Sequence, residues 1–238
     1  MLWLEAETAD GVVGLGETFY AAEAVEAYIH ANLAPIVLGM SAIDIEAVHH
    51  RTRPYVGFVA ASTELRARSA LDIALWDVLG KLTGQPISVL LGGRIRSHIP
   101  VYNTCAGNQY VRGTKLGTTE NFGIESSGTD QNYEDLERFL NDPVGLAGSL
   151  LDMGIDSMKI WPFDFSAEST QGQFISPVEL NKALAPFEAI KKEYGDRMQI
   201  SAELHGMWNL SESLIICQAL DEIGMRWIED PVFLTNPT

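Results

Sequence analysis

The sequence is short of cysteine, of positive charge and of long apolar runs. Two cysteines, Cys105 and Cys217, stand in 238 residues without CxxC spacing. That is too few for a disulfide framework and the wrong spacing for a thiolate metal site, so a reducing compartment is expected. Both thiols read as small buried apolar residues. Lys and Arg number 16 against 32 Asp and Glu, a formal net charge of -16, which repels nucleic acid and anionic membrane surfaces as partners. The same field opposes an anionic small substrate. A site for one has to bring its own positive charge, from a metal, a lysine or a protonated histidine. No apolar run approaches the roughly 18 residues that span a bilayer, and the opening MLWLEAETADG carries no basic leader. A cytoplasmic protein is expected. With 46% hydrophobic residues, the chain can bury a sizeable core as a soluble globular protein of one or two domains.

What is present falls into two patterns. LWLEAETADGVVGLGETF alternates apolar and polar positions on both sides of Asp10-Gly11, which predicts a β-hairpin. Met1 falls inside the first strand, so that strand is expected to be incomplete. Helices are predicted over about 21–38 and 42–53. A stronger one starts at Ser62 and Thr63, with Ala67, Ala70, Leu71, Ala74, Leu75, Val78, Leu79 and Leu82 on one face and Gly84 placed to end it. Residues 1–97 thus form a small α+β domain, and RIRSHIP marks a boundary. From Ile99 onward, short apolar strands (IPVYNT, SMKIWPF, MQISAEL, MRWIED) alternate with helices near 133–152, 177–194 and 210–223. This is a parallel βα repeat. The Gly-, Thr-, Ser- and Asn-rich stretch 107–132 interrupts the first repeat, and in a barrel such an insertion lies on the catalytic face. Residues 98–238 are expected to form about four of the eight units of a (β/α) TIM-type barrel, with the second half absent; an open parallel sheet is the alternative.

Candidate chemistry gathers at the C-terminal ends of these strands. Side chains two apart on a strand share a face, so Glu203 and His205 point one way, as do Trp227 and Glu229, and Lys159 and Trp161. Neighbouring strands lie about 4.8 Å apart, which lets Glu203 and Glu229 reach one cation, and carboxylate oxygens suit Mg²⁺, Mn²⁺ or Ca²⁺ better than zinc. Two like charges this close need a counter-charge. The competing interpretation is a structural ion pair with Lys159 or an arginine. His205 is placed as an acid or base, with Gly206 letting the chain turn away behind it. Lys159 is a candidate to bind a substrate carboxylate, to act as a base if desolvation lowers its pKa, or to form a salt bridge. Trp161, Phe163 and Trp208 are candidates for an aromatic wall or for core packing. Phe19, Tyr20 and Tyr55, in turns of the small domain, are candidate substrate contacts on a lid or surface aromatics packed between domains.

GVVGLGETF, SALDIALWDVLGKLTGQP, LLGG, MKIWPFD, AELHG and WIEDPV, in this order from first residues to last, together resemble the mandelate racemase and muconate lactonizing enzyme family of the enolase superfamily. The resemblance implies a capping domain over a modified (β/α) barrel and a homo-oligomeric full-length parent acting on a small-molecule carboxylate. It further implies Mg²⁺, with Mn²⁺ as a substitute, held by acids that end three consecutive strands. Glu203 and Glu229 match the first two ligands; the third and the opposing acid–base residue are expected beyond Thr238, so this chain alone is expected to be inactive. The superfamily uses a Lys or His base with Mg²⁺ to stabilise an ene-diolate after removal of the proton next to the carboxylate. Racemases and cycloisomerases of the family carry Lys-x-Lys where this chain has Lys159-Ile160-Trp161, whereas Glu203-Leu204-His205 is similar to sugar-acid dehydratases of the galactonate dehydratase type. The resemblance therefore implies a Mg²⁺-dependent hydro-lyase in which His205 helps the β-hydroxyl leave. A racemase, epimerase or cycloisomerase is the close alternative. A glycoside hydrolase with carboxyls about 5 to 5.5 Å apart and a non-catalytic interaction remnant are the alternatives of other classes.

Overall fold

The computed structural model describes residues 1–55, 62–107 and 134–233, and the chain divides into two compact units, Met1–His98 and Ile99–Thr238.

In the first unit, β1 (Leu2–Glu7) and β2 (Val13–Thr18) pair antiparallel around the Asp10-Gly11 turn, with Leu4 opposite Gly16 and Ala6 opposite Gly14. Gly11 takes the left-handed conformation (φ 79°) that such a turn requires. Next, α1 (Ala22–Tyr28) runs through a π-helical turn, Ile29–Leu33, into α2 (Ala34–Val37). Pro35 has no N–H to continue the regular ladder, which accounts for the wider turn just before it. After α3 (Ile45–Thr52) comes the long α4 (Thr63–Thr83), closed by Gly84 in the left-handed region, and then the short α5 (Ile87–Leu90). The face of α4 read from the sequence is the buried one, from Ala67 to Val78. It sits directly on β2: a Cβ on Gly14 or Gly16 would strike the backbone of α4 at Ala74 and Ala70. Val25, Leu33, Ile45, Val48, Ala67, Leu71 and Leu75 complete this unit's core.

The second unit is a parallel sheet with helices against it. α6 (Asp135–Asn141) and α7 (Pro143–Asp152) precede β3 (Ser157–Ile160). Then follow α8 (Asp164–Thr170), α9 (Pro177–Tyr194), β4 (Gln199–Glu203), α10 (Leu210–Ile223) and β5 (Ile228–Glu229). The strands lie side by side as β3-β4-β5, all parallel. The expected strand IPVYNT is reduced, among the described residues, to one parallel bridge from Asn103 to Met158. Its two backbone bonds are Asn103 N–H to Ser157 and Lys159 N–H to Asn103; Pro100, within the same segment, has no N–H for a longer ladder. Also unexpected is α8. Pro162 cannot extend the ladder of β3, which ends at Ile160 within the expected strand SMKIWPF, and the chain turns into a helix directly after that segment, at Asp164.

Side-chain alternation gives the sheet two unlike faces. Met158, Ile160, Ile200, Ala202 and Leu204 join one core with Leu146, Leu150, Phe187, Ile190, Ile216 and Leu220 from α7, α9 and α10. The intervening residues Ser157, Lys159, Ser201 and Glu203 are polar and buried nonetheless. Such burial costs free energy unless every charge is paired, so the partners of these side chains are the next question.

Candidate metal and acid–base site

In the parallel register, Lys159 lies opposite Ser201, and Glu203 lies directly opposite Glu229. The lysine therefore enters one pleat below the two acids and extends up between them. Its Nζ is 2.8 Å from Glu203 Oε2 and 2.8 Å from Glu229 Oε1. Lys159 is 6% and Glu203 4% exposed, so their attraction is weakly screened, whereas the Glu229 side chain is 36% exposed and forms the solvent-facing edge of the cluster. Both remaining carboxylate oxygens are also taken. Glu203 Oε1 accepts from the backbone N–H of His205 (2.9 Å), and Glu229 Oε2 accepts from Trp227 Nε1 (3.2 Å). The Trp227 ring stands edge-on to Tyr102, centroids 5.0 Å apart, and Lys159 Nζ lies 5.7 Å from the Tyr102 centroid.

Burial works to strip Lys159 of its proton, but hydrogen bonds and charge from Glu203 and Glu229 outweigh it and hold the ammonium well above the usual lysine range. A lysine acting as a base needs the opposite shift. In this arrangement Lys159 is a cation and hydrogen-bond donor to both acids. Glu229 is likewise kept below the usual carboxylate range: burial opposes this, and the hydrogen bonds from Lys159 and Trp227 prevail.

His205 leaves the end of β4 with φ 48°, and Gly206 follows at φ 61°. A histidine in this region carries about 1 kcal/mol of strain or more. Three hydrogen bonds hold the turn: His205 N–H to Glu203, Gly206 N–H to the carbonyl of Asp230 (2.8 Å), and His205 Nδ1 with Asp164 Oδ2 (2.7 Å). The ring packs edge-on against Trp161, centroids 5.5 Å apart. Nδ1 is the nitrogen that meets Asp164, so the carboxylate fixes the orientation of the ring. Burial alone would depress the imidazole, yet the bond and charge of Asp164, with the charge of Glu203, hold it above the usual histidine range. Asp164 is fully buried, and burial pushes its own carboxyl up against the pull of His205. A proton on this pair is therefore retained to higher pH than on a free imidazole.

Asp164 is the residue that pattern reading missed. Its signal lay in the segment MKIWPFD: an acid directly after the expected strand SMKIWPF, at the start of α8, from which its carboxylate meets His205. Trp161, a candidate substrate contact, is corrected to a buried support: together with Phe163 and Trp208 it belongs to the apolar core, so none of the three forms an exposed wall. Phe19, Tyr20 and Tyr55 belong to the first unit and are exposed. The Phe19 and Tyr20 rings lie 4.5 Å apart, with the Arg66 guanidinium over both. Most of the insertion 107–132 lies outside the described residues.

The donor set fits a hard divalent cation in part. Two carboxylates already hold one cationic atom between them, and their oxygens are the donors Mg²⁺ prefers. Among the described residues, no group of three or more His, Cys, Asp or Glu is arranged to hold a metal ion. No helix of the described residues is long and apolar enough to cross a membrane.

A mixed α/β chain with paired acids and a histidine at parallel strand ends belongs to a class of enzyme-like architectures, and comparison with known proteins narrows it. Residues 1–92 match the mandelate racemase / muconate lactonizing enzyme N-terminal domain, and residues 144–236 match the enolase C-terminal domain-like family. The chain belongs to the mandelate racemase and muconate lactonizing enzyme family of the enolase superfamily. It is 28% identical to a D-mannonate dehydratase of Novosphingobium aromaticivorans, over 95% of this chain and 54% of that protein. It is 24% identical to muconate cycloisomerase 1 of Pseudomonas putida, over 99% of this chain and 53% of the other. Among solved structures, an enolase of the mandelate racemase subgroup from Agrobacterium tumefaciens superposes with a TM-score of 0.78 at 41% identity, covering 97% of this chain and 53% of that one. The chain thus spans about half the length of the curated relatives it matches.

Proposed function

We propose that the second unit is the first part of a (β/α) barrel, and that the chain carries the metal-binding edge and one acid–base group of a Mg²⁺-dependent sugar-acid dehydratase acting on aldonates or aldarates. The observation that supports this most strongly is the pairing of two charge systems on one polar sheet face: the Lys159–Glu203–Glu229 cluster and, beginning two residues after Glu203, the His205–Asp164 pair. The similarity to a D-mannonate dehydratase supports the same assignment.

Glu203 and Glu229 would hold the ion, whose chemistry when bound is to neutralise the charge that gathers on the substrate carboxylate as the neighbouring carbon loses its proton. Lys159, kept charged, adds a donor for the same carboxylate. His205, protonated and braced by Asp164 and Trp161, supplies the proton with which the β-hydroxyl departs as water. The α-carbon proton goes to a base outside these residues, the β C–O bond breaks, and the electron pair of the C–H bond becomes the new double bond. The position that holds a second lysine in racemases and cycloisomerases of the family is Trp161 here, buried and in contact with His205. That contact favours dehydration over racemisation.

The test is incubation of this chain, and of the full-length product of its gene, with Mg²⁺ and a panel of aldonates and aldarates. Release of a 2-keto-3-deoxy acid, lost in excess chelator, supports the proposal. Deuterium entering the α-carbon without loss of water would replace it with a racemase or epimerase. Product formed equally well in chelator would remove the metal from the mechanism.

A further inference from the structure

The cluster contains more cation than a metal site of two carboxylates requires. Each acid has one oxygen fixed by a donor from its own strand region, His205 N–H on Glu203 Oε1 and Trp227 Nε1 on Glu229 Oε2. The oxygens that remain, Glu203 Oε2 and Glu229 Oε1, are those that Lys159 Nζ contacts at 2.8 Å each. A divalent ion held by the two acids would come within reach of this ammonium, which already contacts one oxygen of each. An ammonium and a dication between the same two acids repel each other, most strongly on the buried side formed by Lys159 and Glu203. Lys159 has somewhere else to go. Its Nζ is already 5.7 Å from the centroid of Tyr102, within the range where an aromatic face attracts a cation, and its four-carbon stem is flexible.

We propose that Lys159 is an exchangeable counter-ion: it holds Glu203 and Glu229 together until a divalent cation binds between them, and binding displaces its ammonium toward the ring of Tyr102. This rests on Glu203 and Glu229 being metal ligands. The exchange has two consequences. Before metal entry, the like charges of the two acids are neutralised from within, so the strand ends keep the register in which Glu203 faces Glu229. After entry, the same ammonium is released from both acids and becomes available to an anionic carboxylate, the positive charge that a chain of net charge -16 must provide locally. The ion pair and the metal site, alternatives when only the sequence is considered, become two states of one set of atoms.

The test uses this chain with Mn²⁺ as the probe, free Mn²⁺ being counted by electron paramagnetic resonance. Lys159→Met keeps the stem and removes the charge. It is expected to bind Mn²⁺ about tenfold tighter than the wild type, or more, because no ammonium has to be displaced. Its melting temperature without metal is expected to fall, and saturating Mn²⁺ should raise it by more than it raises the wild type's. Glu203→Gln is expected to abolish binding in either background. Equal or weaker Mn²⁺ binding by Lys159→Met, with binding still lost in Glu203→Gln, overturns the counter-ion role and leaves the metal site standing. Binding that is absent throughout, or indifferent to Glu203→Gln, overturns the metal site and the exchange with it. Should Lys159→Met fail to fold, the wild type decides by itself. The Lys159 Nζ protons, slow to exchange while two carboxylates hold them, should lose that protection in nitrogen-15 spectra when Mg²⁺ is added. Protection retained at saturating Mg²⁺ overturns the exchange.

Discussion

The ion pairs described in the first unit reach solvent: Lys81 with Asp77 along α4, and His49 with Asp72 between α3 and α4. The second unit instead encloses Lys159, Glu203 and Asp164 on one side of its sheet. In the first unit the tight fit is apolar and steric, between glycines of β2 and alanines of α4. In the second, helices α7, α9 and α10 supply an ordinary apolar core on one face of the sheet, and the other face carries buried charge, which is costly to desolvate and contributes little net stability in many proteins. Burial of charge where stability does not require it is a mark of a functional site. The contrast assigns packing to one unit and chemistry to the other.

The sharpest way to break that contrast is to exchange the buried charges for apolar groups. Lys159→Ala leaves Glu203 and Glu229 facing each other without a counter-charge and should cost about 3–5 kcal/mol, read by urea unfolding. The double variant Lys159→Met, Glu203→Leu should recover most of that loss while losing Mn²⁺ binding. A double variant as unstable as the single one would mean that the cluster is structural, and the assignment of chemistry to this face would fall.

Next in size is the steric counterpart in the first unit. Gly16→Val places a branched side chain against the α4 backbone at Ala70. It should cost about 2–3 kcal/mol, because a packed helix cannot shift to admit it without losing contacts elsewhere. Mn²⁺ affinity in the second unit should stay unchanged. A fall in both stability and Mn²⁺ affinity would show that the two units are coupled.

These expectations also show what the sequence can and cannot reveal. Glu203, Glu229 and Lys159 were legible because strand period and parallel order are enough to put them on one face, and the structure has Glu203 and Glu229 as direct register partners. The long α4 was legible for the same reason: its periodicity and Gly84 announce it. Asp164 was not, because its position depends on a turn at Pro162 that breaks the strand period just where the site begins. Nor was the charge state of Lys159, which depends on the two hydrogen bonds it donates to acids 44 and 70 positions away rather than on burial alone. The aromatic residues Trp161, Phe163 and Trp208 were identifiable as large and apolar, but only packing decides between a wall and a core.

A smaller effect tests the acid–base pair. Asp164 and His205 both keep a proton to higher pH in the folded chain than in the unfolded one. Groups shifted in this direction stabilise the fold at pH values below their unfolded pKa, and the contribution is lost as pH rises through the folded value. Asp164→Asn should therefore flatten the decline of stability as pH rises above the usual imidazole range, changing stability by about 1 kcal/mol. Stability should be followed by denaturant titration at several pH values. An unchanged pH dependence would mean that Asp164 does not hold the imidazolium.

The smallest effect belongs to the surface of the first unit and has the opposite sign. Asp77 accepts from Lys81 (2.8 Å) and from the backbone N–H of Leu15 (2.8 Å), which hold its carboxyl below the usual range. A carboxylate shifted down stabilises the fold above its unfolded pKa, and the contribution disappears as pH falls through the folded value. The pair is open to solvent, with side chains 51% and 36% exposed, so most of its Coulomb attraction is screened and what remains is chiefly the bond to the β2 backbone. Asp77→Asn should cost about 0.5 kcal/mol at neutral pH and nothing once the pH is well below the carboxylate range. Salt at about 1 M, where the Debye length is about 3 Å, should reduce the difference further. A cost above about 2 kcal/mol that persists in salt would put this exposed pair on a par with buried ones, and the division between a unit held by packing and a unit that carries buried charge would no longer hold.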